Sequence, residues 1–428
     1  MSNDGVLGRA PEPPAMSEDA AGEKVRPDGA LPFLWRNPGL VGSAFVLGMA
    51  LSFAAPFLSK WGTERVGLSP TAFGYFMTAV MLSGLAVNTY FARLSDSLLT
   101  RRQALVIAAA CGSGGFACYA LLTDPVLLLI AGCSLHAVAS ACFAQLFSHV
   151  REHLATVSTA ASSMGLRMSV VRVCFSFAWT LGPALGATLL IAFGFRGLFL
   201  SAAGLYLIFL LGVLRVVPRG VAPRAAARPS LPPLWSTLRR PRIALSVLAF
   251  SAAFAALSIN MLNLPLALTR TFGGKESDLG IVFGIGPLVE IPLMLWFGHL
   301  AGKGYTRRLI QFGFLITCLY FGGLFLAEAP WHVYLLQILS GAIFAILTNV
   351  AILYFQDLCP EQLGLSTALF SNSNAIGSVV GMLGFGYLVE SFGHRGAFAA
   401  CTAIAVFAFF VSAFFREEQR PQPLVSPH

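Results

Sequence analysis

Twelve apolar stretches follow one another between residues 38 and 415, each about long enough to cross a bilayer as a helix. Their spans are 38–58, 71–93, 103–122, 126–147, 161–191, 197–217, 242–268, 278–300, 308–327, 331–354, 364–389 and 396–415. Polar residues, glycine or proline separate one run from the next. The longer runs imply tilt, or a helix that continues past the bilayer. The pattern predicts an all-α membrane protein with twelve transmembrane helices. Residues 1–35 are polar and rich in Pro, Glu, Asp and Ala, which predicts a disordered cytoplasmic tail and no signal peptide. Residues 218–241, rich in Pro and Arg, predict a cytoplasmic linker between six-helix halves at 36–217 and 242–415. Residues 416–428 predict a second cytoplasmic tail.

Composition agrees with the pattern. Of 428 residues 56% are hydrophobic and 11% charged, against about 25% charged in soluble domains. The net charge of +9 invites a nucleic-acid reading. The basic residues lie in short clusters between apolar runs, which is a topology signal and not a phosphate-binding face. With the N-terminus inside, 20 of the 28 Lys and Arg fall on the inner side, six on the outer side and two within the fifth helix. That bias predicts both termini in the cytoplasm. The eight cysteines form no CxxC pair and read as packing residues.

The chain also repeats itself. FGFRGLF at Phe193–Phe199 returns as FGHRGAF at Phe392–Phe398, and TRR at 100–102 returns at 306–308. Parallel six-helix repeats are the architecture of major facilitator transporters. The fold expected is therefore two six-helix pseudo-repeats of that kind.

Several stretches carry a closer likeness. RLSDSLLTRRQAL (Arg93–Leu105) resembles the major facilitator loop motif through Asp96, Arg101 and Arg102. The glycine expected before the basic pair is absent. AWTLGPALGA (Ala178–Ala187) is similar to the helix-five motif of efflux antiporters through Gly182, Pro183 and Gly186. LYFQDLCPEQLGLSTALFSNS (Leu353–Ser373), AQLFSHVRE (Ala144–Glu152) and GPLVEIP (Gly286–Pro292) together resemble the bacterial sugar efflux transporter family. Three polar positions of that family are replaced, by Ala55, Asn263 and Cys174. The resemblance implies export of sugars or similar small polar solutes across the inner membrane by alternating access. An exporter of drugs or other metabolites on the same fold is the alternative.

Ionisable residues inside the membrane mark candidate chemistry. A charge at the bilayer centre costs about 2.5–3.5 kcal/mol on insertion scales. Glu290 has no lysine or arginine within ten residues, and Arg172 lies a dozen residues into the fifth helix. Helices five and eight face each other in the two-half architecture, so Glu290 and Arg172 are expected to pair or to bracket a substrate. A carboxylate whose cation approaches in only one conformation changes its proton affinity as the conformation changes, as proton antiport requires. Asn260, Asn263, Asn349, Asn372 and Gln145 offer neutral donors and acceptors for sugar hydroxyls. Trp179 and Phe175 offer a stacking surface. His136 reads as a packed helix residue. Arg151, Glu152, Gln356 and Asp357, with Asp96, are expected to form a charge network at the cytoplasmic helix ends. No zinc-ligand or nucleotide-binding motif is present, so no metal, cofactor or nucleic acid is expected. The proton gradient is the expected energy source, and a lipid-embedded monomer the expected state.

Overall fold

The structure, a computed structural model, describes residues 37–97, 99–157, 161–218, 239–359 and 362–415. The two terminal tails and most of the central linker lie outside the described residues. Among those described, nine continuous helical runs are long and apolar enough to cross a membrane. Three of the nine break at a glycine with positive φ: Gly194 (64°), Gly304 (95°) and Gly393 (69°). The breaks divide the described runs into twelve segments. They are α1 (Pro38–Arg65), α2 (Pro70–Ser97), α3 (Arg101–Leu121), α4 (Pro125–Leu154), α5 (161–193), α6 (195–216), α7 (Pro241–Arg270), α8 (Glu276–Leu300), α9 (Thr306–Leu326), α10 (Pro330–Leu358), α11 (363–392) and α12 (394–413).

Glycine is required at the breaks because other residues adopt the left-handed region only with strain. These glycines also repeat. Gly67 and Gly273 are 206 residues apart, and Gly194 and Gly393 are 199 apart. Gly304 has its counterpart, 206 residues earlier, at Leu98, which lies outside the described residues.

Segment directions follow from contacts. Gly48 and Gly182 of α1 and α5 meet Ala178 and Ser52, so both helices advance together. Gly39 of α1 meets Val216 and Ser43 meets Gly212, so α6 runs the other way. The second half repeats this. Gly377 and Gly381 of α11 meet Ser251 and Ala255 of α7 in parallel. Asn263 meets His394 and Cys401 meets the Ala256 carbonyl, so α12 is antiparallel to α7. The starts of α1 and α7 share one face of the bundle, called here the terminal face.

Helix α6 is apolar on both sides, which separates it from a soluble helix. On α6, Leu198, Phe199, Ala202, Tyr206, Phe209 and Val213 are buried. On its other side Leu200, Leu207, Ile208, Leu211 and Leu214 are exposed. A surface helix of a soluble protein would carry polar residues there. Lipid is the medium that this face fits.

Small residues let the helices touch. A β-carbon on Gly381 would press on the Ala255 carbonyl and the Ser258 β-carbon, whereas one on Gly384 would meet open space. Gly381→Val is therefore expected to cost roughly 1–3 kcal/mol. Gly384→Ala is expected to be near neutral, and thermal unfolding in detergent compares the two.

Candidate functional site

The two halves meet along two glycine-faced seams. In the first, Gly280 of α8 lies against Ala184 of α5, and Gly284 lies against the Thr180 carbonyl. In the second, Gly74 of α2 lies against Met382 of α11, and Gly386 against Thr71. Polar links cross between the halves at the same face, opposite the terminal one. Lys60 of α1 meets Glu276 of α8 at 2.5 Å. Arg270 of α7 meets Glu64 and Thr63 at 3.4 and 3.2 Å. Thr71 donates to Glu390 through its hydroxyl at 2.7 Å and its amide at 3.0 Å. Lys60 is only 6% exposed. These contacts join the two halves at the face opposite the terminal one.

Further along the α5–α8 seam lie Arg172 and Glu290. The pairs 180/284 and 184/280 fix an antiparallel register. Continued by one and a half turns, it sets Glu290 level with Cys174. Arg172 is then two residues away, about 3 Å along the axis at 1.5 Å per residue. Arg172 is exposed and Glu290 half-buried. Glu290 also accepts from the Asn349 amide at 3.5 Å. Asn349 belongs to a π-helical stretch of α10, Ala345–Val350. Such bulges recur at functional sites because they re-aim a side chain. Gly341 of α10 fits against Gly286 and the Glu290 amide, so α10 and α8 touch here. The structure thus brings together three of the expected site residues: Glu290, Arg172 and Asn349.

Others go elsewhere. Asn260 is 9% exposed and donates to the Tyr320 hydroxyl of α9 at 3.1 Å, next to Gln337. Asn263 is fully buried and grips the α11–α12 turn. It donates to the His394 carbonyl at 3.0 Å, and its oxygen meets His394 Nδ1 at 2.7 Å. Both asparagines donate within the second half. Asn263, with both amide groups engaged, leaves the cavity placement expected of it, while the Asn260 oxygen is buried with no hydrogen-bond partner among the described residues. Polar residues (Ser246, Ser251, Ser258, Asn260, Asn263) are spread around α7, so its sequence does not mark which side faces the cavity. Asn263→Ala is expected to cost about 1–3 kcal/mol. Thermal unfolding checks this, with KM for transport unchanged.

Gln145 is also engaged away from the seam. It accepts from Arg101 at 2.9 Å. Arg101 in turn holds Glu152 at 2.9 Å. Arg102 donates to the Leu214 carbonyl at 2.7 Å. The basic pair at the start of α3 therefore ties α4 and α6 to it. Thr100 fixes that start through a capping box with Gln103. Arg151 and Asp357 are exposed and Gln356 half-buried at the ends of α4 and α10. The side chain of Asp96 lies outside the described residues.

Gly182 and Gly186 make room for Ser52 and Phe53 of α1, and the Pro183 carbonyl lies against Gly280. Phe175 packs edge-on against Phe143 and Phe147 of α4, with centroids 5.1 and 5.9 Å apart. Trp179 and Asn372 are half-buried. His136 sits among rings, 4.6 Å from Phe116 and 4.3 Å from Tyr119. Sequence reasoning missed Lys60, Glu64, Arg270, Glu276 and Glu390. Lys60 gave one signal, since it extends an apolar run and does not lie in a loop.

The profile of the Major Facilitator Superfamily matches residues 40–303 and 247–428. The chain belongs to the major facilitator superfamily. Within it, this major facilitator protein groups with the sugar efflux transporters. A Deinococcus radiodurans protein, provisionally named a sugar efflux transporter, is 31% identical over 381 residues, 87% of this chain and 95% of that one. Sugar efflux transporter A of Escherichia coli is 26% identical over 375 residues, covering 86% and 93%. The crystal structure of the nucleoside transporter NupG superposes with a TM-score of 0.75 at 14% identity, covering 89% and 99%. That last likeness is one of fold. As a major facilitator protein the chain is a membrane transporter and not an enzyme.

Proposed function

We propose that the chain exports sugars or related small polar solutes across a bacterial inner membrane, in exchange for protons, with both termini in the cytoplasm. The observation that carries the reading is the grouping of Glu290, Asn349 and Arg172 beside the α5–α8 seam. Between them they offer a carboxylate, an amide and a guanidinium. A sugar ring needs such donors and acceptors together with an apolar face. The names of the sugar efflux relatives support the substrate class.

Alternating access is supported by the way the halves meet. The face opposite the termini is closed by small-residue seams and three sets of polar links. Rocking one half against the other breaks those links and opens that face. In this state the terminal face admits solute to Glu290. The carboxylate then exchanges its partners, Arg172 and Asn349, for a proton as the seam opens.

The test is transport in proteoliposomes under an imposed pH gradient. Movement of a labelled sugar opposite to the proton gradient is expected. Sugar movement indifferent to the gradient would refute proton exchange and leave facilitated export.

A further inference from the structure

We propose that Asn260, Tyr320 and Gln337 form a subsite that binds one hydroxyl group of the transported solute, an inference that rests on the sugar-export reading. The three belong to α7, α9 and α10 and are 9%, 0% and 4% exposed. The Tyr320 oxygen accepts from the Asn260 amide at 3.1 Å and from the Gln337 amide at 3.5 Å. Gln337 also donates to the Val333 carbonyl at 3.4 Å. The Asn260 oxygen is buried with no hydrogen-bond partner among the described residues. Turning that amide over gives its oxygen to Tyr320 and leaves its nitrogen unmatched instead. Either way one end of a buried amide is left over, which is rare in folded proteins.

The cluster lies close to Glu290. Gln337 turns its oxygen toward Gly286 of α8, where a β-carbon would stand 3.7 Å from it and 3.8 Å from the Ser340 hydroxyl. Those are ordinary contact distances, so the bare glycine leaves space against the two polar groups. One turn further along α8 the helices are pressed together, and a β-carbon on Gly341 would fall 2.9 Å from Val289. Gly286 precedes Glu290 by four residues, about 6 Å at 1.5 Å per residue. A single sugar residue spans that distance, so a solute held at Glu290 carries a hydroxyl to the cluster. The ligand class follows from the side chains. Asn260, Tyr320, Gln337 and Ser340 are all neutral, and a charge placed among them would lose its hydration with no counter-ion. A hydroxyl both donates and accepts, so it satisfies either end of the Asn260 amide.

The test is counterflow in proteoliposomes containing the full chain. The labelled sugar is one that the wild type accumulates. The competitors are the same sugar unlabelled and its monodeoxy derivatives, each lacking one hydroxyl. In the wild type one derivative should compete at least about tenfold more weakly than the parent, because a site built to bond a hydroxyl rejects the analogue without it. In Asn260→Leu that derivative and the parent should compete equally, while the other derivatives keep their wild-type ratios. Tyr320→Phe, which preserves the ring, should act in the same way. Comparing two competitors in one protein cancels any loss of folded material. Ratios that stay as in the wild type, or that all change together, would overturn the subsite and make the cluster a packing or water-binding element. A wild type that accumulates no sugar would overturn sugar export itself, and the subsite with it.

Discussion

Glu290→Gln is expected to abolish proton-driven sugar efflux while exchange of sugar for sugar persists. The substitution keeps the shape of the side chain and its contact to Asn349, and it removes the site that takes up a proton. Arg172 then faces a neutral amide on the other side of the seam. Coupling between two ligands amounts to 1–3 kcal/mol in typical cases, so its loss is read as a change of about 5–150-fold. The measurement compares gradient-driven efflux with exchange in the same vesicles. A variant that loses both has lost the binding site and not the coupling alone. A variant that keeps full gradient-driven efflux rules Glu290 out as the proton carrier. Asn349→Ala, by contrast, is expected to raise KM with coupling intact.

Lys60→Met is expected to shift the population toward the state open at the face opposite the termini. Lys60 is 6% exposed and reaches Glu276 at 2.5 Å and Glu64 at 3.6 Å. Only the contact to Glu276 crosses between the halves, so removing the cation acts on the closure itself. Glu276 is 42% exposed on its side chain. Solvent screens that end, which reduces the 3–5 kcal/mol typical of a fully buried pair to roughly 1–2 kcal/mol. A shift of 1.4 kcal/mol changes a population ratio about tenfold. Thiol labelling of Cys174, in a background without the other cysteines, reads the change. The residue is half-buried on α5, level with Glu290. Labelling by an impermeant reagent added at the terminal face should slow in Lys60→Met, and restoring the charge with Lys60→Arg should recover much of the rate. Unchanged labelling would show that the glycine seams alone close this face.

Much of the fold was legible in the sequence. Apolar runs of bilayer length and the FGFRGLF and FGHRGAF repeats carried the helices and the two halves. Positive-φ glycines then fixed the breaks. Helix ends were less legible. The run expected to stop at residue 58 continues to Arg65, through a turn of 3-10 helix at Pro56 and a π-helical stretch at Trp61–Arg65. Of the candidate site, the sequence marked charges that stood out against an apolar run, as Glu290 and Arg172 do, and the structure places both beside the α5–α8 seam. Neutral amides gave no such contrast. Asn263, Gln145 and the amide nitrogen of Asn260 found partners on neighbouring helices, and most helix faces here are equally apolar, so the sequence did not mark which neighbour. The Lys60–Glu276 link escaped notice because it joins residues 216 apart in sequence. No local pattern marks such a pair.

The claim that this chain carries sugars is tested most directly by counterflow. Vesicles containing the purified protein are loaded with an unlabelled sugar and diluted into trace labelled sugar, across a panel of mono- and disaccharides and a set of hydrophobic cations. At least one sugar is predicted to accumulate transiently, with no accumulation of the cations. Accumulation of a cation, with every sugar excluded, would contradict sugar export and assign the chain to drug efflux.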